Sequence, residues 1–118
     1  MGHDKKFTPS LDYAEKILQE VRRRLHHPLV LNGVKFQWNN RYRSTAATAD
    51  SEERLIELSR KVWGCEVNHR EEDFRDVILH EIAHLIVGCE AGHNEVWKQW
   101  YYSIGGTGRV CHGLVTKP

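Results

Sequence analysis

Cysteine is scarce in this chain of 118 residues: Cys65, Cys89 and Cys111 are scattered, and no two of them form a C-x-x-C pair. That does not suggest a disulfide framework; it excludes a zinc ribbon built on four thiolates, and it points to a reducing compartment. Charge of one sign is lacking too. Seventeen Lys and Arg stand against sixteen Asp and Glu, a formal +1, so bulk electrostatics do not draw the chain to a polyanion. No apolar run approaches the roughly 20 residues that cross a bilayer. The opening Met1-Gly2-His3-Asp4-Lys5-Lys6 is not followed by the apolar core of a signal peptide, and Lys6 stands where N-myristoylation needs Ser or Thr. Repeats and low-complexity tracts are absent. The expectation is a soluble, non-secreted monomer, cytoplasmic or nucleoid-associated, with no membrane partner. Its length suits one domain with a modest core.

Ser10 is placed to cap a helix running to His26, with Leu11, Ala14, Ile17, Leu18, Val21 and Leu25 on one face. Arg22, Arg23 and Arg24 span most of that helix's circumference and read as a solvated end favoured by the dipole; a phosphate-contacting patch is the lesser alternative. His26-His27-Pro28 ends the helix, and adjacent histidines diverge too far to form a metal site. From there the period changes. Val34–Trp38 alternates as a strand, Asn39-Asn40 is turn chemistry, Tyr42–Ala49 reads as a second strand, and Arg54–Ser59 as a third. Hairpin-like spacing predicts a small antiparallel three-stranded meander. Residues 1–9 are expected to be flexible, 10–105 to form the domain, and 106–118 to be a loosely structured tail.

The run His80-Glu81-Ile82-Ala83-His84 carries the chemistry. Residues four apart lie one turn above each other on a helix, so both imidazoles present to one point. Two neutral imidazoles suit Zn²⁺ and leave room for a third ligand and a water. Glu81, one residue on, is placed to take a proton from that water without being a ligand. Eight histidines make a chance H-E-x-x-H no rarity, so context matters. Phe74, Ile78, Ile82, Leu85 and Ile86 form an apolar face away from the histidines, and three polar side chains on so apolar a helix need a reason to be there. Asp76, four residues before His80, reads as an exposed charge rather than a partner of the site. Beyond the breaker around Gly88 and Gly92, His93 opens a further helix with Val96, Trp97, Trp100, Tyr101 and Ile104 at helical spacing. His93 is the favoured third ligand; Glu90 and Glu95 are rivals, since carboxylates also bind zinc.

Several of these pieces together resemble the SprT-like zinc metallopeptidase domain, the SprT/Spartan family. The carrying residues are Trp38-Asn39 with Arg43 and Thr45-Ala46, Ile56-Glu57-Leu58-Ser59, His80-Glu81-Ile82-Ala83-His84, and Gly92-His93 with Trp97. The resemblance spans about Leu11 to Gly105. It implies an α+β, zincin-like fold with zinc ligands His80, His84 and His93, Glu81 as general base, and peptide-bond hydrolysis, often of proteins held on DNA. Many members continue into a four-cysteine ribbon that this chain cannot build, and Cys111 is expected to be a free thiol. Asn94-Glu95 stands where small residues often follow the third histidine.

The reading that follows is a zinc-dependent metalloendopeptidase acting on a protein or peptide substrate, with DNA-associated proteins as a further implication of the resemblance. An edge strand such as Tyr42–Ala49 would align an extended peptide by β-addition. Arg43, Thr45, Tyr101 and Tyr102 are the candidates to contact substrate, and Arg43, Tyr101 or Tyr102 would supply the oxyanion donor. A second reading is a nucleic-acid-associated binding module that keeps zinc for structure, which requires Arg22, Arg23, Arg24, Arg41 and Arg43 to converge on one face. Hydrolysis of a non-peptide amide would use the same residues.

Overall fold

The computed structural model describes residues 7–25, 31–64, 70–88, 93–108 and 115–116. Cys65, Cys89, Cys111, Glu90, His26 and His27 lie outside the described residues. In chain order the elements are α1 (Leu11–Arg24), β1 (Lys35–Asn39), β2 (Thr45–Asp50), β3 (Leu55–Ser59), α2 (Arg60–Trp63), α3 (Glu71–Val87), α4 (Glu95–Ser103) and β4 (Val115–Thr116). The α+β class expected from the sequence is the one observed.

α1 begins where its cap predicts: Ser10 Oγ accepts from Tyr13 N at 3.1 Å. Ala14, Ile17, Leu18 and Val21 are its buried stripe. It stops at Arg24, two residues short of His26, with Leu25 already extended. Ahead of it, Phe7 packs edge-on against Tyr13 and tilts onto Phe74, so the region expected to be flexible includes a residue seated on the core.

The sheet is mixed, not an antiparallel meander, and its order is β1-β3-β2-β4. β1 pairs parallel with β3 from Lys35↔Leu55 to Asn39↔Ser59. β3 pairs antiparallel with β2, Leu58 facing Ala47 and Leu55 facing Asp50. The loop of residues 40–44 is the reason. Two strand spacings amount to roughly 10 Å, which five residues cross easily, so β3 can enter between β1 and β2. Side chains hold that loop: Asn39 Oδ1 accepts from Arg41 N at 2.8 Å and Tyr42 N at 3.1 Å, and Ser59 Oγ donates to Tyr42 O at 2.8 Å. β2 is therefore not an open edge. Val115 and Thr116, in the expected tail, pair parallel with Thr45 and Ala47 as β4.

α3 lies on β2 between α1 and α4. Glu71, Glu72 and Asp73 suit its N-terminal dipole, and Gly88, at φ 93°, turns the chain out while its N–H closes on His84 O. Phe74 and the whole run Asp76–Leu85 are buried. The single apolar face expected from the periodicity is thus an underestimate, because sheet and helices cover this element on every side. Ala46, Ala47 and Ala49 of β2 are buried in the same core. Trp63 Nε1 donates to Ala46 O, and the Trp63 ring meets Phe74 edge-on at 4.9 Å.

Candidate metal centre

His80 and His84 stand one turn apart on α3, 4% and 0% exposed. His93 is not within α4. It sits one residue before the cap Asn94, whose Oδ1 accepts from Trp97 N at 2.9 Å, and this cap fixes where the incoming chain meets the helix. From that position His93 reaches the α3 pair: its Nε2 is 2.9 Å from His80 Nε2, and its ring centroid is 4.7 Å from those of both His80 and His84. One ligand atom from each of the three lies within 4.8 Å of the others. Glu95, the rival ligand, is an exposed residue of the first turn of α4 and not a member of this group. His93 is the exposed member of the three, so the centre opens to solvent on its side.

Trp97 is the wall that sequence reasoning did not assign. Its ring lies 4.6 Å from His80, 5.2 Å from His84 in a stacked arrangement, and 4.6 Å from His93. Its Nε1 donates to the backbone oxygen of His80 at 3.3 Å. The available signal was its spacing four residues after His93, which puts it one turn further along α4.

Glu81 is fully buried, and neither carboxylate oxygen has a hydrogen-bond partner; the same holds for both ring nitrogens of His84. Burial alone pushes the Glu81 carboxyl well above its ordinary range. Desolvation, and then the charge of neighbouring imidazoles, lowers His80 to about 3 and His84 to about 4; desolvation also lowers His93. Imidazoles held neutral beside a buried carboxylate without donors form a set whose chemistry suits a cation. Three imidazole nitrogens converging on one point fit Zn²⁺ with a position left open.

The metal-free protein should therefore lose stability as pH falls from 6.5 toward 4. In that window the unfolded chain takes up protons on His80, His84 and His93 more readily than the fold does, because burial lowers all three. Glu81 works the other way, since the fold holds its proton more tightly than the unfolded chain does, but it is one group against three. Thermal unfolding of chelated protein at pH 7, 6, 5 and 4 checks this, and a melting temperature that holds constant or rises toward pH 4 would refute it.

Asp76 is 1% exposed, contrary to the expectation of a solvated charge. Oδ2 accepts from Tyr101 Oη at 2.5 Å, and Oδ1 from Thr107 N at 2.8 Å and Thr107 Oγ1 at 3.1 Å. Tyr101, a candidate oxyanion donor, is buried with its hydroxyl engaged by this carboxylate. Arg43 is exposed in the loop before β2, Thr45 is buried at the start of β2, and Tyr102 is exposed on α4 against the Tyr101 ring. The arginines required by the binding-module reading are divided. Arg22 reaches Asn32, ahead of β1, whereas Arg41 and Arg43 follow its far end.

The sequence model of the SprT-like family matches residues 13–116. No curated protein matches the sequence. Among solved structures, the metallopeptidase zymogen of Pyrococcus abyssi abylysin is similar at 18% identity and a TM-score of 0.59, over 83% of this chain and 85% of that one. At that identity the likeness is one of fold.

Proposed function

The chain belongs to the SprT-like family, and from that premise we propose that it is a zinc-dependent metalloendopeptidase whose metal is held by His80, His84 and His93. The observation that carries the proposal is the convergence of three imidazole nitrogens within 4.8 Å, on a buried helix that also carries a carboxylate without a hydrogen-bond partner. Support comes too from the fold, which it shares with a metallopeptidase zymogen.

Bound zinc would supply Lewis acidity, polarising a carbonyl and lowering the pKa of a coordinated water. The remaining work belongs to the chain. Glu81 accepts the proton of the attacking water and passes it to the departing amine, a role open to a carboxylate with no competing hydrogen bonds. Trp97 covers the three imidazoles, restricting their rotation and excluding water from one side. Substrate approaches over His93, the solvent-facing ligand. Protein chains are the proposed substrate class.

The test is elemental analysis of the purified chain beside a casein-cleavage assay, with and without single-stranded DNA. One zinc per chain, weakened in His93→Ala, together with zinc-dependent cleavage, is the expected result. A wild-type chain that takes up no metal after remetallation would overturn the reading. Full zinc without cleavage under any condition would leave a structural metal site in place of a peptidase.

A further inference from the structure

α3 and α4 meet as two ladders with four-residue steps. Asp76, His80 and His84 climb α3, while Tyr101, Trp97 and His93 descend α4 and its entrance. Each level makes a contact: Tyr101 Oη to Asp76 Oδ2 at 2.5 Å, Trp97 Nε1 to His80 O at 3.3 Å, and the His93 ring to that of His84 at 4.7 Å. The Tyr101 and Trp97 rings stack at 4.9 Å with planes 8° apart, so the first level is coupled to the second.

The carboxylate level is the directional one. Aromatic stacking tolerates sliding, but a buried carboxylate holding three donors does not, because each lost bond leaves a desolvated charge unmatched. Thr107 binds Asp76 through both N and Oγ1, and Gly108 N donates to Tyr101 Oη at 2.7 Å. The chain leaving α4 is thus tied to the same point. Gly106 keeps the tie close, since a side chain there would collide with the Tyr101 ring. A slip of one residue moves a helix by about 1.5 Å along its axis, whereas zinc–ligand distances tolerate only about 0.2 Å.

We propose that Asp76 is a positioning residue for the metal centre: through Tyr101 and Thr107 it sets the axial register of α4 on α3, and so brings His93 and Trp97 onto His80 and His84. The inference deepens the metal-site reading above and rests on it. Asp76 touches neither metal nor substrate. Its effect is on how completely the ligand set is assembled before the ion arrives.

The experiment is zinc titration of the full chain against a chromogenic chelator, with the visible spectrum of the cobalt-substituted protein and far-UV circular dichroism alongside. Tyr101→Phe and Asp76→Asn should stay folded, bind zinc about tenfold more weakly or worse, and show an altered cobalt spectrum. Thr107→Ala should weaken zinc binding in the same sense, and Thr107→Ser should restore it. Leu18→Ala, a core truncation on α1, should lower the melting temperature and leave zinc affinity at the wild-type value. Wild-type affinity and spectrum in both Tyr101→Phe and Asp76→Asn would overturn the proposal and reduce the contact to a structural one. If those two fail to fold, Thr107→Ala decides by the same readings. A wild-type chain without zinc would overturn the metal centre itself, so the two failures are told apart.

Discussion

Replacing Glu81 with Gln is expected to lower peptide hydrolysis by about 10²–10⁴-fold while zinc remains bound at wild-type stoichiometry. Glutamine has the same shape and fits the fully buried site that Glu81 occupies, so the fold should accept it. It cannot take a proton from water. The substitution also removes a group whose burial is costly: neither oxygen of Glu81 has a partner, and an uncharged amide is cheaper to bury than a carboxylate. The metal-free variant should consequently melt no lower than metal-free wild type at neutral pH. Single-turnover cleavage, zinc content and thermal unfolding of the same preparation test all three statements. Retained cleavage in a zinc-loaded Glu81→Gln protein would remove Glu81 from the chemistry.

Zinc at about a hundredfold excess over its Kd is expected to raise the melting temperature by about 10 °C, and a chelator should reverse the rise. The figure follows from linkage: such an excess stabilises the folded state by about 2.7 kcal/mol, and a domain of this size gains about 4 °C per kcal/mol. The three-histidine cluster is the reason for that expectation. His80 and His84 are desolvated and neutral, so no proton has to leave them before they bind. His84→Ala removes the proposed ligand that has no exposure at all and should abolish the zinc-dependent rise. Calorimetric scans with zinc and with chelator give the comparison. Equal melting temperatures in the two would mean that the cluster holds no metal.

Local patterns disclosed local structure, and tertiary placement escaped them. Ser10, the stripe from Ala14 to Val21, and the spacing of His80 and His84 each follow from helix geometry over a few residues, and the structure has them where the pattern puts them. Asn39 was recognisable as a turn residue, and its side chain does hold the turn. The strand pairing was not recognisable. Alternation identifies a strand and its faces but not its neighbour, and nothing in residues 40–44 announces that the chain skips a place in the sheet. β4 escaped for a related reason: two residues carry no period. Asp76 departs from the sequence expectation because exposure is the ordinary state of an aspartate, whereas here it is buried. Its donors, Tyr101 and Thr107, lie 25 and 31 residues away. A carboxylate in an otherwise apolar helix was the available clue.

The compactness of the proposed ligand set in sequence has a consequence for the denatured chain. His80 and His93 are separated by only thirteen positions, and the entropy of closing a loop grows only with the logarithm of its length. A disordered chain can therefore bring the three imidazoles to one ion at little more cost than a short peptide would. Zinc then has some affinity for the unfolded ensemble, which subtracts from the stabilisation it gives the fold. The rise in melting temperature should level off at high zinc instead of climbing logarithmically. On the proposed ligand set, the nascent chain would have all three imidazoles available to an ion once residue 93 has left the ribosome, before β4 exists to complete the sheet.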